Sequence, residues 1–290
     1  MFKKDTWKSF CSSLNFKTST KKVWKVIRKI KGKGSKAAIQ CLKANGQIVT
    51  EKSQVANLLA TTIHQNSSSN HCSEPFKKVK ENKESKPCSF KPDSSSDYNL
   101  PFSMAELKDA ILKSNNSAPG HDNIHYQLLS HLPGPVLSVL LNIFNTIWTT
   151  GVFPPSWRKA IIIPIPKPGK DHSDPNNYRP IALTSCLCKT MERLVFDRFI
   201  WQLENINALD SVQCGFRKGR STVDHLVRFE SFVRNALIKG EHVVSVLFDL
   251  EKAYDTTWKH GILLDLQELG FVENLPNFIS NCLTDRNFQV

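Results

Sequence analysis

The stretch HVVSVLFDLEKAYDTTW, residues 242–258, decides the predicted fold class. Five of the six residues at 243–248 are apolar, which predicts a buried strand, and the strand ends in the carboxylate of Asp249. A carboxylate at the edge of a sheet is well placed to hold a hard cation such as Mg²⁺, which takes oxygen ligands. Without further motifs, the preferred interpretation of an Asp at the end of a strand is that it caps the next turn.

Helix and strand patterns alternate on both sides of this stretch. The residues before it predict a helix beginning at a capping box of Ser103 and Glu106, and then a helix over about 133–150, a strand over 160–165, a helix through 187–198 and a helix over 222–239. The residues after it predict two more helices, around 262–269 and 275–282. This mixture predicts an α+β fold.

Positive charge is concentrated at the N-terminus. Residues 1–43 hold 13 Lys and Arg against the single acid Asp5, whereas the other 247 residues hold 26 basic and 25 acidic residues. Such a segment suits a nucleic-acid phosphate backbone, although a solvated tail without a partner has the same composition. Residues 1–65 are therefore predicted to be a basic, partly helical extension. Residues 66–97, rich in Ser, Lys, Pro and Asn, are predicted to be a mobile linker.

The composition argues against several classes of protein. The first residues lack an apolar stretch of signal-peptide length, and the apolar runs stay well short of the roughly 18 residues that span a membrane. The eight Cys form no CxxC pair, and Cys186 and Cys188 have no second pair at zinc-finger spacing, which argues against a structural zinc. Reduced thiols and a soluble, intracellular location, nuclear or cytoplasmic, are the expectation.

Further motifs precede the stretch at 242–258. They are, in order, SAPGHDNI (117–124), WRKAIIIPIPKPGKD (157–171), NYRPIALTSCLCKTMERLV (177–195) and QCGFRKGRSTVDHL (213–226). With FDLEKAYDTTW (248–258), they resemble the successive blocks of reverse transcriptases, especially those of non-LTR, LINE-type retrotransposons. The basic start with GKGSK (32–36) is similar to the segment that joins endonuclease and polymerase in jockey-like elements. The resemblance implies a right-hand polymerase fold, with fingers over 98–240 and part of the palm over 241–290.

The resemblance also assigns roles to individual residues. Asp249 matches the first catalytic Asp, which holds two Mg²⁺ ions together with the backbone carbonyl of Leu250. Lys167 and Arg179 match the cations of a fingers hairpin that grip the triphosphate of a dNTP, a role that charge and fork geometry suit. Tyr254 matches the bulky residue that blocks a ribose 2′-hydroxyl. Without the motifs, the two cations would be interpreted as solvated hairpin charges and the Tyr as ordinary core.

A basic group in the block at 213–226 is a candidate for nucleic-acid binding. Arg217, Lys218 and Arg220 alternate with glycines that let a backbone approach closely, and their charges suit a phosphate backbone. The same residues would also serve as a charged lead-in to the helix that follows. The partners implied by the resemblance are an RNA template, a DNA primer and dNTPs, without a membrane.

The resemblance also predicts what this sequence lacks. A two-metal mechanism needs several carboxylates, and in the family the others come from a YADD-type hairpin preceded by a PQGS-type loop. Neither occurs here, nor does an endonuclease, so the expectation is a piece truncated at both ends that does not polymerise alone. The alternatives are a non-catalytic nucleic-acid-binding protein derived from such an element, a decayed relic, and a viral RNA-dependent RNA polymerase fragment. Tyr254 argues against the viral enzyme, which usually has Asp there.

Overall fold

A computed structural model describes residues 2–15, 23–24, 27, 39, 41–44, 46–90 and 96–290, apart from the side chains of 2–6 and 71. Within them the α-helices are α1 (Phe2–Ser12), α2 (Lys52–Asn66), α3 (Glu74–Glu84), α4 (Met104–Leu112), α5 (Tyr126–Leu129), α6 (Gly134–Thr150), α7 (Cys186–Asn205), α8 (Thr222–Ile238), α9 (Lys259–Glu268) and α10 (Asn274–Leu283). Short 3₁₀ turns lie at Ser69–His71, Asp97–Asn99, Pro155–Arg158 and Pro175–Asn177. None of the described helices is long and apolar enough to cross a membrane.

Two small sheets accompany these helices. Strands β1 (Leu42–Ala44) and β2 (Gln47–Val49) form an antiparallel hairpin. In the second sheet, β3 (Lys159–Pro166) is central, with β4 (Tyr178–Leu183) antiparallel on one side and β5 (Asn287–Gln289) parallel on the other. The α+β prediction is confirmed at this level.

The main core forms around α6. Its apolar side chains recur at helical spacing, and Phe144 and Trp148 are completely buried. Each large apolar side chain removed from water in this way contributes about 1.5–3 kcal/mol. Gly151 ends the helix in the left-handed region at φ 69°, where a residue without Cβ is least strained. The predicted helix over 133–150 is confirmed.

A second, smaller core joins residues 41–66 to the β3–β4 hairpin. Leu42 from β1 and Val55 and Leu59 from α2 pack with Tyr178, the first residue of β4. The Tyr178 hydroxyl donates to the His172 carbonyl at 2.7 Å and so fixes the hairpin turn as well. Residues 41–65, predicted as part of a separate extension, are therefore packed onto the hairpin. About half of residues 1–43, here called the basic arm, lies outside the described residues.

The predicted mobile linker over 66–97 is wrong for most of its described residues. Residues 74–84 form α3, and Phe76 on it stacks edge-on against Trp258, with ring centroids 5.8 Å apart. Trp258 also donates to Glu84 at 2.6 Å. The polar composition did predict solvent exposure, because α3 buries no residue fully. Contacts from Trp258 and His260, far along the chain, hold this helix in place.

The predicted buried strand over 242–249 is also wrong. These residues form neither helix nor strand, and Leu247 and Phe248 are 88% and 91% exposed. A strand needs a neighbour for its backbone hydrogen bonds and a layer to cover its side chains. None of the described strands pairs with 242–249. The apolar face of the preceding α8 is largely exposed too, so nothing covers this stretch from that side among the described residues.

Candidate functional site

A cavity of about 640 Å³ lies between the β3–β4 hairpin, the end of α2 and the acidic loop at 249–255. Its lining brings together the residues predicted for metal and nucleotide binding, which are Lys167, Arg179, Asp249, Leu250 and Tyr254. Asp249 reaches this place on an irregular, exposed segment instead of the predicted strand end.

The hairpin sets the positions of the two predicted cations. Ile165 pairs with Arg179 across β3 and β4, and the ladder continues beyond the strand as the Lys167 amide donates to the Asn177 carbonyl at 2.8 Å. The Lys167 ammonium donates to the Asn176 carbonyl at 3.0 Å. Lys167 is half-buried and Arg179 is exposed. Their proximity follows directly from antiparallel pairing.

The acidic loop is fastened by a residue that the sequence interpretation missed. The Lys252 ammonium donates to the side-chain oxygens of Asn66 at 2.9 Å and Asn176 at 3.3 Å. One signal was present, since Lys252 is the sole Lys or Arg between residues 241 and 258. Asn66, at the end of α2, carries no comparable local signal, because its role depends on how α2 packs.

Tyr254 lies in the cavity wall and is 83% exposed. The competing interpretation of this residue as ordinary core therefore does not match the structure. Its ring is available to contact a molecule that enters the cavity.

The cavity mixes cations with carboxylates. Lys167, Arg179 and Lys252 line it together with three acidic side chains of the loop, Asp249, Glu251 and Asp255. In the described part of the chain, however, no three side chains of Asp, Glu, His or Cys come close enough together to hold a metal ion. The described residues thus do not assemble a metal site by themselves. The cationic hairpin wall suits an anion.

The candidate nucleic-acid group at 217–220 lies at a different place. The Arg217 guanidinium binds both carboxylate oxygens of Glu204, at 2.7 and 2.6 Å, and the Asp210 carbonyl at 2.7 Å. The hydrogen bonds between Arg217 and Glu204 raise the pKa of Arg217 and lower the pKa of Glu204. Arg217 is thus engaged internally, whereas Lys218 and Arg220 are exposed to solvent.

The block at 117–124 is held by close backbone packing. A Cβ added to Gly120 would lie 2.6 Å from the Ser185 amide nitrogen and 2.7 Å from the Thr184 carbonyl carbon. Both are backbone atoms at the junction between β4 and α7, which cannot move aside cheaply. A glycine is therefore required where this loop meets the end of the hairpin sheet.

Comparison with known proteins identifies the family. Residues 165–290 match the model of the family described as reverse transcriptase (RNA-dependent DNA polymerase). The chain is 34% identical over 195 residues to the RNA-directed DNA polymerase from mobile element jockey of Drosophila melanogaster. Residues 165–290 thus match a reverse transcriptase domain, and the relatives are polymerases of non-LTR retrotransposons. The resemblance inferred from the sequence blocks is confirmed.

Other relatives of the chain come from the same class of element. It is 33% identical over 191 residues to the probable RNA-directed DNA polymerase from transposon BS of Drosophila melanogaster. It is 30% identical over 187 residues to the Pol polyprotein from the type-1 element R2 of Popillia japonica. These alignments cover 64–66% of this chain but 21–25% of the relatives, as does the jockey alignment. The chain therefore spans about a quarter or less of those proteins' length.

Proposed function

We propose that this chain is the fingers and part of the palm of a retrotransposon reverse transcriptase, and that the 640 Å³ cavity binds the triphosphate of an incoming dNTP. The observation that carries the proposal is the meeting of Lys167 and Arg179 on the hairpin with Tyr254 on the acidic loop around one cavity. Lys167 and Arg179 lie on the two arms of one hairpin, whereas Tyr254 belongs to a loop far along the chain.

Each side chain then has a defined task. Lys167 supplies a point charge and Arg179 a planar fork of donors, and both neutralise phosphate oxygens. Tyr254 excludes a ribose 2′-hydroxyl by bulk. Asp249 and the Leu250 carbonyl would be this chain's ligands for Mg²⁺, which would supply charge neutralisation at the phosphates. Because the described residues do not bring three metal-binding side chains together, the proposal is for binding and does not extend to turnover.

The test is nucleotide affinity measured by isothermal titration with dATP, with and without Mg²⁺. Lys167→Met and Arg179→Gln each remove a cation of the wall and should weaken binding about tenfold, since a charge-assisted hydrogen bond contributes about 1.5–3 kcal/mol and the site is open to water. Lys108→Met, which removes an exposed lysine on α4, is the matched control. Equal affinities for all three variants and the unmodified chain would refute the nucleotide site.

Template and primer binding is the second part of the proposal. The net charge of residues 1–43, Lys218 and Arg220 all favour contact with a phosphate backbone. Deletion of residues 1–38, which leaves Leu42 and β1 in place, should flatten the slope of log affinity against log salt for a single-stranded RNA. An unchanged slope would assign the binding to the rest of the chain.

The alternative, a nucleic-acid-binding protein without nucleotide binding, rests on the same basic arm. It predicts a steep salt dependence for RNA together with no measurable dATP affinity. The two titrations on one preparation therefore separate the candidates.

A further inference from the structure

The segment at 249–258, which contains the acidic loop, is attached to α2 and α3. Near its start, Lys252 bonds to Asn66 at the end of α2. At its end, Trp258 bonds to Glu84 at the end of α3. Tyr254 lies between these two attachments. The helices that receive them precede residue 165, where the match to the family model begins.

Lys252 combines strained backbone with specific contacts. Its φ is 54°, a left-handed conformation that is uncommon for residues other than glycine. Such a conformation persists where the surroundings fix it. Here the Lys252 ammonium reaches Asn66 on one side and Asn176 on the other, while its carbonyl accepts from the Thr256 amide at 3.0 Å. The side chain thus ties the loop to α2 and to the hairpin turn at once.

The second attachment is partly aromatic. The Trp258 indole N–H donates to Glu84 at 2.6 Å, and its ring packs edge-on against Phe76. The neighbouring His260 ring nitrogen lies 3.1 Å from the Lys83 carbonyl. Three contacts therefore join α3 to the segment where the loop passes into α9.

We propose that Lys252 and Trp258 are positioning residues, which hold the 249–258 loop against α2 and α3 and thereby fix Tyr254 at the hairpin wall. Neither residue needs to touch a nucleotide for this role. The N-terminal helices become part of the site because they set where the loop stands.

The direct test is backbone mobility in the intact chain, measured as ¹⁵N order parameters for residues 250–258. A rigid backbone gives about 0.85 and a flexible one gives values below about 0.6. We expect Lys252→Met to lower the values at 252–256 towards the flexible range. Lys252→Arg should restore them, because its longer cationic side chain can still donate to both amides. Glu84→Gln should loosen the end of the loop less severely, since the amide oxygen still accepts a neutral hydrogen bond.

Two controls make the outcome decisive. Lys108→Met removes an exposed lysine on α4 that does not line the cavity, and it should leave the order parameters unchanged. Unchanged amide chemical shifts outside the loop would show that each variant is folded. Asn66→Leu breaks the hydrogen bond to Lys252 from the α2 side and leaves Lys252 itself unaltered. If the loop is as rigid in Lys252→Met and Asn66→Leu as in Lys108→Met, the positioning role is overturned.

The consequence for ligand binding rests on the proposed function. A mobile loop should weaken dATP binding several-fold in Lys252→Met while affinity for inorganic tripolyphosphate, which meets the hairpin cations alone, falls less. A chain that binds neither ligand refutes the nucleotide site and leaves the mobility result to decide the positioning role. Equal losses for both ligands would make Lys252 a phosphate-binding residue and contradict the positioning role.

Discussion

Arg198→Met should destabilise the chain well beyond the effect of an ordinary surface substitution. Arg198, on α7, donates to both carboxylate oxygens of Glu106 at 2.8 and 3.1 Å. It also donates to the carbonyls of Tyr98, Leu100 and Pro101, and its guanidinium lies 4.2 Å from the centre of the Phe102 ring. One side chain thus ties α7 to the turn and the start of α4 that cover the main core.

The size of the expected loss in stability follows from how deeply the Arg198 and Glu106 side chains are buried. Removing one partner of a fully buried ion pair costs about 3–5 kcal/mol. The Arg198 side chain is 13% exposed and that of Glu106 is 37% exposed, so water and Ser103 can partly satisfy the carboxylate left behind. We therefore expect a loss of about 2–3 kcal/mol in the free energy of unfolding. Against a total stability of about 5–15 kcal/mol, this is a large fraction.

The effect should depend on pH. Burial acts to raise the pKa of the Glu106 carboxyl, but hydrogen bonds from Arg198 and Ser103 outweigh it and hold the pKa below its ordinary value of 4.5. A depressed folded-state pKa gives stability that is present above the unfolded-state value and is lost as the pH falls through the folded-state value. The difference between Arg198→Met and the unmodified chain should therefore be largest near neutral pH and shrink below about pH 4.

Urea unfolding followed by circular dichroism at pH 7 and at pH 3.5 measures both effects. Arg193→Met, on the same helix, is the control, since Arg193 makes no ion pair among the described residues. A cost for Arg198→Met within about 0.5 kcal/mol of that control would refute the reasoning, because surface substitutions commonly fall in that range.

Three further outcomes are expected. Gly120→Ala should cost about 1–3 kcal/mol of stability in urea unfolding, because the new methyl group meets the Ser185 backbone; a neutral result would mean that the loop can move away. Cys282 should resist alkylation at pH 8 while exposed Cys11 reacts, since burial raises the pKa of Cys282 to about 11; peptide mass mapping that shows equal labelling would contradict this. Tyr254→Val should raise the affinity for ATP relative to dATP in titrations if Tyr254 excludes the 2′-hydroxyl, and an unchanged ratio would count against that role.

The elements that the sequence predicted correctly are those whose signals are local. The helix at 133–150 has an apolar face at regular spacing and a terminal glycine, and the capping box of Ser103 and Glu106 forms as expected. The strand prediction for 242–249 was wrong because an apolar pattern does not reveal whether another part of the chain pairs with the segment and covers it. The helix at 74–84 was not predicted, because Trp258, which packs against it, lies far along the chain.

The candidate site was predictable to a similar extent. The residues matched to nucleotide and metal binding line one cavity. Antiparallel pairing places Lys167 near Arg179, and the acidic loop lies against the same hairpin. Arg217 shows the limit of the motif interpretation. Its charge suggested contact with nucleic acid, whereas in the structure its guanidinium forms an ion pair with Glu204. No sequence pattern predicts that ion pair.

The cavity therefore depends on a part of the chain that the family model does not cover. The match begins at residue 165, yet Leu59 and Asn66 of α2 line the cavity together with the matched residues. Tyr178 links α2 to the hairpin wall of the cavity, because it is the first residue of β4 and also packs in the small core with Val55. A change that loosens α2 would shift the hairpin wall and release Lys252 in the same step. Helix α2 thus forms one wall of the proposed nucleotide site.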